Sequence, residues 1–139
     1  MTNEEFEELV NAGIEAIPQK FLDLLNNVAI TIADEPTLAQ LKKFNLIHRG
    51  TLLGLYEGVP QNKRGSNYTA VLPDKITIFR RPIEQVAGSD PSRIPEIVKN
   101  TVWHEIAHHF GMDEAEVRSA EKNRSIRNKK RLLADKKSG

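Results

Sequence analysis

The sequence predicts an α+β domain. Three observations carry this. Apolar residues recur at helical spacing in the first 25 positions. Three short apolar runs follow: VAITI and KITIFR, rich in β-branched residues, and LLGLY, rich in leucine with a tyrosine. A long segment from about residue 91 to 110 then returns to helical spacing and stops at a glycine. Strands clustered together and flanked by helices, rather than alternating with them, favour α+β over a parallel α/β sheet. A chain of 139 residues, 39% hydrophobic and 28% charged, is sized for one domain with one core.

Residues 3–17 place Phe6, Leu9, Val10, Ala12, Gly13 and Ile17 on one helical face, behind Thr2 or Asn3 as cap and early glutamates. Pro18 breaks this run and can open the first turn of a second helix, QKFLDLLNN, with Phe21, Leu22, Leu24 and Leu25 apolar. Val28–Ile32 reads as a strand ended by DEPT, and Thr37–Phe44 as a short helix. Leu52–Tyr56 is a second strand, and PQNKRGSN (60–67) an exposed turn. Lys75–Arg80 alternates, with Ile76 and Ile78 inward and Lys75 and Thr77 outward. GSDPS punctuates before the long helix from Pro91–Arg93 to Phe110, with Gly111 placed to end it. A final helix is expected from about Asp113 into the tail. No repeat or linker divides residues 1–121.

There is no cysteine, which removes disulfides, thiolate metal sites and a cysteine nucleophile together. No apolar run approaches about 18 residues, so no membrane span is expected. The start, MTNEEFEELV, lacks a signal peptide's basic-then-apolar layout, and a cytoplasmic location is expected. The net charge of +1 hides an asymmetry. Residues 122–139 hold eight Lys/Arg and one Asp, or +7, which leaves −6 for residues 1–121. Such a tail can touch polyanions, but no aromatic residue is interleaved for base stacking, and it reads as a solvated terminus. Neither nucleic acid nor membrane is an expected partner, and a monomer is expected.

The chemistry concentrates in HEIAHHFGMDE, residues 104–114. On a helix His104 and His108 lie about 40° apart and one turn apart in height, so two imidazoles can grip one ion. Glu105 lies about 100° away, beside the ion, where a carboxylate can take a proton from an attacking water and pass it to a leaving amine. A catalytic zinc usually needs a third protein ligand. The sequence continues His108, Gly111, Glu114, the HxxGxx spacing of the metzincin motif, with Glu114 where that motif has histidine. Gly111 supplies the bend. Asp113 is the reserve candidate. Val98, Val102 and Ile106 form a separate apolar stripe, widened by Trp103 and Phe110, to anchor the helix. His109 points away from His104 and His108 and reads as a packed histidine. His48 has no motif around it and receives no role.

Taken together, HEIAHHFGMDE, VAITIADEPT (28–37), LLGLYEGVP (52–60) and ITIFRRPI (76–83) resemble the bacterial mini-zincin family, small zincin-like metallopeptidases, over about residues 4–120. The resemblance implies a minimal zincin scaffold, a small sheet against the active-site helix. It implies Zn2+ at His104, His108 and an acid at the Glu114 position, with Glu105 as general base. In zincins a strand borders the cleft and pairs with the substrate. Ile76–Arg80 is the candidate, with Arg80 and Arg81 favouring acidic substrates if they face the cleft. Tyr56 is a candidate oxyanion donor or a structural tyrosine. The expected function is zinc-dependent hydrolysis of peptide bonds by a glutamate-activated water on the metal. The alternatives are a metal-binding or regulatory module without turnover, or a nucleic-acid association through the tail.

Overall fold

The computed structural model describes residues 1–44, 52–65, 68 and 72–112. The order is helix α1 (Asn3–Glu15), a one-turn helix α2 (Gln19–Leu22), strand β1 (Val28–Ala33), helix α3 (Leu38–Lys43), strand β2 (Gly54–Glu57), strand β3 (Asp74–Phe79), helix α4 (Arg80–Ala87) and helix α5 (Ile94–Phe110). The fold is α+β. The expected final helix, His48, and the whole 122–139 tail lie outside the described residues.

Local chemistry sets the boundaries. Thr2 caps α1 by accepting the Glu5 N–H on its hydroxyl at 3.1 Å. Thr37 and Gln40 form a reciprocal capping box at the start of α3. The second predicted helix shrinks to one turn behind Pro18. The predicted long helix begins at Ile94, behind a 3-10 turn over Pro91–Arg93.

The sheet is mixed, with strand order β1-β3-β2. β3 pairs parallel with β1, Ile76 opposite Ile30, and antiparallel with β2, Tyr56 opposite Ile76. This corrects two expectations. β3 is the central strand, so both of its edges are occupied and it cannot pair with a substrate. Thr77, expected outward, is buried beside its register partner, the buried Leu55 of β2. The strand read over Lys75–Arg80 also stops one residue short. The chain passes from Phe79 directly into α4 at Arg80, a helix the sequence reading did not include. Pro82 sits in its first turn, where a missing N–H costs nothing.

The core lies between the sheet and helices α1, α4 and α5. Phe6 and Val10 of α1, Ile76 and Ile78 of β3, and Ile83 of α4 meet the stripe of α5. That stripe is the expected one: Val98, Val102 and Ile106 are fully buried. α5 is therefore gripped on its apolar side by α1 and the sheet, and its remaining side can line a cleft.

Candidate metal centre

The cleft has a volume of about 1050 Å³ and runs along one face of α5. Ile97, Thr101, His104, Glu105, His108 and Gly111 follow one another along its floor at intervals of one, three or four residues. β2 forms one wall. His104 and His108 are half-buried, and Glu105 is only 7% exposed. One potential ligand atom from each of the three lies within 4.8 Å of the others. The two imidazole rings meet edge to face, 4.8 Å between centroids.

These residues fit a metal. Two nitrogens bonded to one tetrahedral zinc lie roughly 3.4 Å apart, given bonds of about 2.0–2.1 Å. That spacing falls within the 4.8 Å span of the three side chains' ligand atoms. Glu105 is held in place by the approach of β2. A Cβ on Gly54 would lie 2.7 Å from Thr101 Cγ2 and 3.0 Å from Glu105 Cγ. Only a residue without a side chain lets the strand come this close to the helix.

The helix ends where the motif requires. Gly111 takes φ +90°, in the left-handed region, and closes a Schellman turn. Its N–H donates to the His108 carbonyl at 2.9 Å, and the Met112 N–H to the Ala107 carbonyl at 3.1 Å. Asn62 then donates its side-chain amide to the Gly111 carbonyl at 3.1 Å. Its neighbour Gln61 donates to the Leu24 carbonyl at 2.9 Å and reaches His109 Nε2 at 3.1 Å. The segment read as an exposed turn is thus a brace on the C-terminal end of α5. Glu114 and Asp113, the two candidates for the third ligand, lie outside the described residues.

A family model described as zincin-like metallopeptidase matches residues 25–124. The chain belongs to this family. The matched span runs from just before β1 past Gly111 and holds the HEIAH segment. Among solved structures, this zincin-like chain is similar to a conserved hypothetical protein from Thermus thermophilus. The two share 26% identity with a TM-score of 0.53, over 79% of this chain and 94% of the other. No curated protein matches. Among the described residues, no helix is long and apolar enough to cross a membrane.

Behind the metal face lies a second polar cluster that the sequence reading missed. Its hub is Asp74, 3% exposed at the start of β3. Its carboxylate accepts hydrogen bonds from the Tyr56 hydroxyl, from Arg64 at 2.6 Å, from the Val59 N–H at 3.4 Å and from His109 Nδ1 at 3.1 Å. Burial pushes the carboxyl up, but these donors outweigh it and hold it below the usual value. Burial and the neighbouring carboxylate push the Tyr56 phenol far above its ordinary value. The hydroxyl is thus committed to Asp74, which makes Tyr56 a structural residue of the cleft wall.

His109 is fully buried. Its Nε2 accepts from the Asn26 N–H at 3.3 Å and from the Gln61 amide, so Nδ1 carries the proton toward Asp74. Burial holds its pKa below the ordinary imidazole value, which agrees with a neutral ring. Arg80 and Arg81 also have structural partners. Arg80 pairs with Asp34 and Glu84, and Arg81 with Glu35, fastening the start of α4 to the end of β1. Neither lines the cleft. The expected preference for acidic substrates through these arginines loses its basis.

Proposed function

We propose that this chain is a zinc-dependent peptidase. The observation that carries the reading is the convergence of His104, Glu105 and His108 at the floor of a cleft walled by an edge strand. His104 and His108 would hold the ion through ring nitrogens. Glu114, three residues past the Gly111 bend, would complete the set, with Asp113 as the alternative. When bound, zinc supplies Lewis acidity, which polarises a carbonyl and makes a water acidic near neutral pH. Glu105 accepts the proton from the attacking water and hands it to the leaving amine. Its burial beside Gly54 keeps the carboxylate oriented.

β2 takes the part first given to Ile76–Arg80. It is paired with β3 on one side, and among the described residues no strand pairs with its other edge. A peptide added there would be held by main-chain hydrogen bonds beside the metal group, independent of its sequence. The test is Glu105→Gln. Zinc should remain at one per chain while hydrolysis of a peptide library falls by about 10²–10⁴-fold. Cleavage at the wild-type rate by zinc-loaded Glu105→Gln would overturn the mechanism. A wild-type protein that binds zinc and cleaves nothing would favour the module without turnover.

A further inference from the structure

The two ends of the cleft differ in chemistry. β2 runs alongside α5 in the same direction. Gly54 lies against Thr101 and Glu105, and two residues later the Tyr56 ring is 5.8 Å from that of His109. Beyond His108 the lining carries Asn62 and Lys63 beside Gly111, together with Pro60 and Met112. Toward the start of α5 Leu53, Val86 and Ile97 line it, with Asn100 beside them, and Phe44 opens into the same cleft. Phe44 and Val86 are 43% and 46% exposed. They are two of the few large hydrophobic side chains that the described surface leaves open to water, and both open into this one cleft. Among the described lining residues, the one formal charge outside the metal group is Lys63, at the opposite end.

Distance fixes what this end can read. Ile97 precedes His104 by seven residues, or roughly 10 Å along a helix. An extended peptide covers that length in about three residues. A peptide lying along β2 therefore brings the side chain about three residues to one side of the metal group over Ile97. An apolar side chain there gains burial against Ile97 and the apolar residues beside it. An acidic one loses water and meets no cation.

We infer that the cleft selects an extended peptide bearing a bulky apolar side chain about three residues from the metal group, on one side only, seated among Phe44, Leu53, Val86 and Ile97. This rests on the reading of the cleft as a peptide site. It replaces a preference for acidic substrates with discrimination against them at that position.

The test uses the full chain with Glu105→Gln, loaded with zinc, and labelled alanine-rich peptides carrying a single leucine or aspartate. Binding is read by fluorescence anisotropy. Leucine should bind about tenfold or more tightly than aspartate. Val86→Glu should remove most of that difference, and Val86→Lys should shift it toward aspartate. Zinc content and thermal unfolding of each variant verify the fold. Wild-type protein should cut the leucine peptides about three residues from the leucine, on one side, as read by mass spectrometry. Equal binding of leucine and aspartate peptides, or a preference untouched by Val86→Glu, overturns the inference. A leucine preference in binding without any cleavage by wild type upholds the inference and removes the peptidase reading. Equal cleavage of both peptide sets upholds the peptidase reading and removes the inference.

Discussion

His108 and His109 are adjacent in the chain and belong to different chemistry. His108 is half-buried in the cleft, against His104 and within reach of Glu105. His109 is fully buried, its two ring nitrogens engaged by Asp74 on one side and by Asn26 and Gln61 on the other. About 100° of helix rotation separates them. The face that opens to the cleft suits an exchangeable ligand. The face behind it uses the same residue type as a structural bolt between α5, β3 and the Gln61–Lys63 turn. A histidine-rich stretch is thus not one site but two, and each can be broken without the other.

The largest effect on stability is expected on the buried side. Asp74→Asn removes the anion that Arg64, Tyr56 and His109 share, in a site where both members of the Arg64–Asp74 ion pair are nearly covered. The expected loss is about 3 kcal/mol in denaturant unfolding. Acid should erase that loss. Asp74 has a folded pKa below its ordinary 3.8, so between the two values the unfolded chain binds more protons than the folded one. Its contribution is present above about pH 3.8 and is lost as pH falls through the folded value. The stability gap between wild type and Asp74→Asn should therefore be widest near neutrality and narrow in strong acid. A gap independent of pH would show that the carboxylate's charge is not what the cluster uses.

A smaller effect is expected at the junction of the two faces. Gly111→Ala forces a side chain into the left-handed region and into the Asn62 amide, and should cost about 1–2 kcal/mol. Asn62→Ala loses the bond to the Gly111 carbonyl and should cost about 1 kcal/mol. The two are in contact, so the double variant should cost less than the sum. Strict additivity would mean that Asn62 does not brace this turn.

What was legible in the sequence follows the range of the interactions. The His104–Glu105–His108 face, the Val98–Val102–Ile106 stripe and the Gly111 stop all depend on spacing within one helix. The α+β class and three strands were legible because short β-branched, leucine or tyrosine runs bounded by turn residues are local too. The order of those strands was not, since nothing within KITIFR marks it as central rather than edge. Asp74 could not be found as a hub, because its partners Tyr56, Arg64 and His109 stand 18, 10 and 35 positions away. Arg80 and Arg81 looked like surface charges near a cleft. Their partners in the acidic pair Asp34–Glu35 appear only once β1 and β3 are aligned in parallel.

The proposed metal grip on one face of α5 and the bolt on the other can be told apart in a single experiment. It is metal analysis of His104→Ala, His108→Ala and His109→Ala, each purified as folded protein and dialysed against zinc. The first two should lose zinc and keep near-wild-type unfolding of the metal-free form. The third should retain one zinc per chain and lose about 2–4 kcal/mol of stability. A folded His109→Ala that lost its zinc while His108→Ala retained it would contradict this division of the helix.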